Sequence, residues 1–91
     1  MIAKKVDNNQ AEIVKTLRAC GAFVFDSSSM GRGFPDLVCC HHGRWILVEI
    51  KSQRGTLTGE QAIFHKECGG KIEIVRSRNE AIDALNRAVN S

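Results

Sequence analysis

The chain has 91 residues, 43% of them hydrophobic and 25% charged, with a formal net charge of +3. That length fits one small domain, near the lower limit of what a single core holds together, and a homo-oligomer sharing apolar surface relieves the limit. No stretch is long and apolar enough to span a membrane, Met1-Ile2-Ala3-Lys4-Lys5 lacks the apolar core of a signal peptide, and the mild basicity is compatible with nucleic acid without establishing it.

Asn8 or Asn9 is placed to cap a helix whose apolar positions Ile13, Val14, Leu17 and Cys20 keep a 3.6-residue period, and Gly21 ends it. Residues 22–25 are a short β-type run, followed by a polar, glycine-bearing loop over 26–33. Two runs that favour strands, 36–41 and 44–51, then flank a His42-Gly43 step, which reads as a β-hairpin. After a polar connection over 52–57, Thr58-Gly59-Glu60-Gln61 spells a capping box. The helix it opens carries Ala62, Ile63 and Phe64 and stops at Gly69-Gly70. Residues 71–76, with Ile72, Ile74 and Val75, form a fourth strand. Ser77-Arg78-Asn79-Glu80 is a second capping box, opening a helix with Ala81, Ile82, Leu85, Ala88 and Val89 on one face. The order is αβββαβα, a single α/β domain over 1–91 with a mixed sheet flanked by helices.

The hairpin carries the chemistry. With His42 and Gly43 at the turn, Cys40 faces Trp45, Val38 faces Leu47 and Asp36 faces Glu49; a four-residue loop over 41–44 keeps the same pairing. Directly opposed residues have Cβ atoms only ~5 Å apart, so two carboxylates so placed repel. Period-two alternation puts Lys51 on the face of Glu49. Trp45-Ile46-Leu47-Val48 and Ile50 make a nearly continuous apolar run, the pattern of a strand covered on both faces. A glutamate within such a run is costly unless its charge is compensated. A divalent cation between Asp36 and Glu49 turns repulsion into ligation, and hard oxygen donors suit Mg²⁺ or Mn²⁺. The alternative is a Glu49–Lys51 pair at the end of a surface strand, with Asp36 starting the turn after Pro35. The matched register of P-D, hairpin and E-x-K favours the site.

This arrangement resembles the PD-(D/E)XK nuclease superfamily, and within it the stand-alone VRR-Nuc domains. The matching residues are Gly33-Phe34-Pro35-Asp36-Leu37, then Glu49-Ile50-Lys51, then Leu57-Thr58 and Gln61, and Gly70 ahead of the last strand. The chain is also similar to archaeal Holliday-junction resolvases, in which a glutamate near the start of the first helix completes the site; Glu12 occupies that position. The resemblance covers the chain from Glu12 to about Leu85 and implies a restriction-endonuclease-like core. It implies that Asp36, Glu49 and the Ile50 carbonyl hold the metal. Lys51 then positions or deprotonates the attacking water, or offsets charge on the phosphate. Glu12 binds a metal-coordinated water or a second ion; read from the residues alone, it is equally a solvated first-turn glutamate favoured by the helix dipole. Gln61 is either a capping residue on Thr58 or, as the resemblance implies, a neighbour of the lysine and the scissile phosphate. Ser27, Ser28 and Ser29 sit in a loop where junction resolvases carry a functional serine. Arg32, Arg54 and Lys66 are candidate phosphate contacts or a solvated face.

The four cysteines, at 20, 39, 40 and 68, do not read as a disulfide framework, so a reduced cytoplasmic setting is expected. Cys39-Cys40-His41-His42 is not a structural zinc site, because successive strand residues point to opposite faces and cannot converge on one ion. Buried cysteines acting as small apolar residues and exposed turn histidines are expected instead. Trp45 is expected in the core or in a dimer contact. The expected function is a metal-dependent DNA endonuclease acting as a homodimer on branched DNA, the four-way junction first, in a bacterial or phage-infected cell. A nicking or flap-cleaving repair nuclease and a catalytically silent DNA-binding or assembly module are the alternatives.

Overall fold

The computed structural model describes residues 9–90. Its elements are α1 (Gln10–Ala19), β1 (Phe23–Asp26), β2 (Leu37–His41), β3 (Arg44–Ile50), α2 (Gly59–Glu67), β4 (Ile72–Val75) and α3 (Arg78–Asn90). The αβββαβα order is as expected, and the strand limits differ by a residue or two. Among the described residues no helix is long and apolar enough to cross a membrane.

The sheet runs β1-β2-β3-β4, with β1–β2 and β2–β3 antiparallel and β3–β4 parallel. A parallel pair needs a crossover element, and α2 supplies it. His42 and Gly43 have φ of 50° and 75°, the double positive φ of a two-residue turn whose twist suits a hairpin. The register follows: Cys40 opposes Trp45 and Val38 opposes Leu47.

One face of the sheet is the core. Val24, Leu37, Cys39, Val48, Ile50 and Val75 pack there against Ile13 and Leu17 of α1 and Ala81, Ala84 and Leu85 of α3. Burial pushes the Cys39 thiol up to about 11, an effect that nearby Arg18 partly offsets. The opposite face is thinly covered. None of α2 is fully buried, and Ile63 is exposed. β3 is therefore enclosed over Val48, Glu49 and Ile50 but open at its start. Trp45 is 69% exposed, which excludes the core from its two expected places and leaves the dimer contact untouched.

Two helix starts also depart from expectation. Asn8 lies outside the described residues. Asn9 makes no side-chain cap; its Nδ2 donates to the carbonyls of Lys51 and Arg76, 3.3 Å each, and ties α1 to the ends of two strands. At α3 the Glu80 amide donates to Ser77 Oγ at 3.2 Å, while Glu80 Oε1 accepts from the Arg76 amide at 2.8 Å. The Thr58 box is complete in both directions.

Candidate functional site

Each residue of Gly33-Phe34-Pro35-Asp36 has a separate mechanical role. Gly33 has φ of 78°, and a Cβ on it would lie 2.4 Å from the Glu60 carbonyl oxygen. The absent side chain lets the loop lie directly against the first turn of α2. Phe34 meets Phe64 edge to face, with 5.3 Å between ring centroids. Pro35 is buried, and its carbonyl accepts the Ser27 hydroxyl at 2.7 Å. Asp36 precedes β2 directly, and its Oδ2 accepts from the Ile50 amide at 2.8 Å. The carboxylate thus replaces a ladder acceptor where the strand ends, which holds it beside the end of β3.

Glu49 is 3% exposed. Its Oε2 accepts from Gln61 Nε2 at 3.1 Å and lies 3.8 Å from Lys51 Nζ. Gln61 is the expected cap and also reaches the buried carboxylate. Its Oε1 accepts from the Thr58 amide at 2.9 Å and its own amide donates to Thr58 Oγ1 at 3.3 Å, while Nε2 reaches Glu49. A helix cap therefore sets the direction of the amide that holds the buried carboxylate. Glu49 has protein partners for its charge, so a cation is not required to explain its burial. What suits a hard cation is the pair of carboxylates: Asp36 and Glu49 line one hollow of about 240 Å³ with Ile50, Lys51 and Gln61. Among the described residues no group of three or more His, Cys, Asp or Glu converges as a metal site. Mg²⁺ commonly takes one or two carboxylates and keeps several waters, so the pair fits it.

Not every expected residue arrives there. Glu12 lines a different hollow, is 59% exposed along its side chain, and lies 3.7 Å from Arg78. Gln10, two residues earlier, lines the candidate site instead; it is buried and its Nε2 donates to Asp26 Oδ2 at 3.2 Å. The signal is helix phase: Gln10 stands three residues before Ile13 and seven before Leu17, on the buried face that Glu12 does not share. Ser27 is buried on the Pro35 carbonyl, which removes it from any DNA contact. Ser28 donates from its amide and hydroxyl to Asp26 Oδ1, at 2.9 and 2.6 Å. Ser29 is exposed. Arg32 lines the site hollow and has φ of 57° between Gly31 at 75° and Gly33 at 78°, a run of left-handed backbone unusual for an arginine. Arg54 and Lys66 are exposed and lie outside that lining.

Cys39 faces the core, while Cys40 shares the opposite face with Phe23 and Trp45, so the two thiols point apart. In comparison with known proteins, no family model and no curated protein matches this chain.

Proposed function

We propose that the chain is a metal-dependent DNA endonuclease of the PD-(D/E)XK type that hydrolyses phosphodiester bonds and acts as a homodimer on four-way junctions in the cytoplasm of its host cell. The observation that carries the reading is the meeting of Asp36, Glu49, Lys51 and Gln61 in one hollow at the open end of the hairpin. Three of them come from the P-D and E-x-K positions and the fourth from a helix cap fixed on the adjoining loop.

Asp36, Glu49 and the Ile50 carbonyl are the groups that hold Mg²⁺ or Mn²⁺ in this reading. Bound there, such an ion supplies Lewis-acid polarisation of a phosphoryl oxygen and lowers the pKa of its water. The Ile50 amide keeps Asp36 in place, and Gln61 keeps Glu49 in place. Lys51, its side chain mostly buried beside Glu49, orients the attacking water, takes its proton, or offsets charge on the phosphate. Arg32, which lines the same hollow, is the cation assigned to meet a phosphate. A homodimer with two such sites suits a substrate with twofold symmetry, and the four-way junction has it.

Thermal unfolding with millimolar Mn²⁺ tests the metal site. Wild type is expected to melt higher with Mn²⁺, and Asp36→Ala is expected to lose that increment. An equal increment in both proteins would remove Asp36 from metal binding.

A further inference from the structure

The sheet face opposite the core carries three rings that are more than half exposed: Phe23 at 57%, Phe25 at 56% and Trp45 at 69%. Strand pairing sets Phe23, Cys40 and Trp45 in one row across the sheet and Phe25, Val38 and Leu47 in the next. Paired residues share a face, so all six form one platform. Phe23 and Trp45 meet edge to face, 6.3 Å between centroids. α2 reaches the other end of this face, through Gln61 on Glu49, and leaves the two rows open.

We propose that this two-row platform is the self-association surface, packed face to face against the same platform of a second copy about a twofold axis. The proposal rests on the homodimer of the preceding reading and not on its chemistry. Aromatic side chains bury about 150–250 Å² each when enclosed, so these three present on the order of 350 Å² of apolar surface. That is close to half of the ~800 Å² per partner in a standard interface. The half-buried Val38, Cys40 and Leu47 extend it.

Charge selects the occupant. None of the six residues carries a charge. A nucleic-acid strand is met by rings interleaved with lysine and arginine, which this platform lacks. A twofold interface sets a patch against itself, so any charge on it meets its own like; a neutral patch escapes that penalty. A small domain with one sheet face well covered and the other thin gains core by pairing the thin faces. The edge-to-face contact of Phe23 and Trp45 already orders both rings, so less side-chain freedom is lost on docking.

Trp45 is the sole tryptophan and the chain has no tyrosine, so intrinsic emission reports on the platform itself. The experiment follows emission and sedimentation mass of the full chain from nanomolar to tens of micromolar. Wild type is expected to reach twice the 10.0 kDa chain mass while its emission moves to shorter wavelength. Phe23→Glu and Phe25→Glu are expected to stay monomeric with solvent-exposed emission at the same concentrations. Both side chains are exposed, so circular dichroism and melting should match monomeric wild type. A wild type that remains a monomer at tens of micromolar overturns the proposal, whether its emission is exposed or already shielded by its own chain. Doubling of mass in both variants overturns it too, by placing the interface elsewhere. Quenching of Trp45 by DNA in the monomer overturns it in favour of a nucleic-acid platform. Cleavage assayed on the same samples separates the two readings: a dimer that cuts nothing fails the chemistry alone, and a monomer that cuts fails the platform alone.

Discussion

Replacing Gly33 by alanine should cost the protein much more than replacing Gly31, although both residues have left-handed backbone. Gly31 has φ of 75° with nothing near its missing Cβ, whereas Gly33 has φ of 78° with the Glu60 carbonyl oxygen 2.4 Å away. Each alanine meets the left-handed penalty, roughly 1–2 kcal/mol. Each also gains about 0.4–1 kcal/mol from a stiffer unfolded chain. Those contributions cancel in the comparison. Gly33→Ala alone must push a backbone carbonyl by close to 1 Å to restore van der Waals contact, and overpacking of that kind costs about 1–3 kcal/mol. For a domain of this size 1 kcal/mol moves Tm by roughly 4–8 °C. Gly33→Ala should therefore melt on the order of 10 °C below Gly31→Ala. Circular dichroism melts of both variants measure this, and Mn²⁺ titration of each adds the functional arm. If α2 backs away to relieve the clash, Gln61 withdraws from Glu49, and the Mn²⁺ increment of Gly33→Ala should shrink as well. Equal melting of the two variants, within about 2 °C, would refute the claim that Gly33 exists to seat α2.

Lys51→Ala should keep the Mn²⁺ increment and DNA binding while cleavage is lost, and near wild-type turnover would take Lys51 out of the mechanism. Gln61→Glu retains an acceptor for the Thr58 amide but sets a carboxylate against Glu49, so it should slow cleavage with helix content unchanged; full activity would mean that the Gln61 amide does not position Glu49. Arg32→Gly should weaken duplex binding and reduce its salt slope by about one, through the loss of a single phosphate contact; an unchanged slope would place Arg32 off the DNA. At pH 8 an aromatic disulfide reagent should label exposed Cys20 at once and Cys39 last, because burial holds the Cys39 thiol near 11. Fast labelling of all four cysteines in the folded protein would contradict the core as described.

The hairpin was legible because its information is local. His42 and Gly43 take the two positive φ values that the turn needs, and the register then follows residue by residue to Leu37 and Val48, each one position from the carboxylates Asp36 and Glu49. Thr58 and Gln61 were legible as a cap for the same reason. What the sequence concealed are bonds between distant segments. Asn9 spends its amide on carbonyls 42 and 67 residues away instead of on its own helix. Ser27 looked like a loop hydroxyl and is a buried clamp on Pro35. Gln10 rather than Glu12 lines the site; it shares the face of Ile13 and Leu17, a phase that a polar side chain hides from a reading of apolar positions alone. Trp45 sits in an apolar run whose second face is covered at one end, and periodicity cannot tell a strand enclosed throughout from one enclosed by half.

The most direct measurement is cleavage of a labelled synthetic four-way junction with Mg²⁺ or Mn²⁺, beside duplex, flap and single-stranded controls, with Asp36→Ala as the blank. Paired, symmetric nicks in the junction are expected, dependent on the metal and absent with Asp36→Ala. Absence of metal-dependent cutting on every substrate, by a protein that still melts cooperatively, would contradict the endonuclease reading.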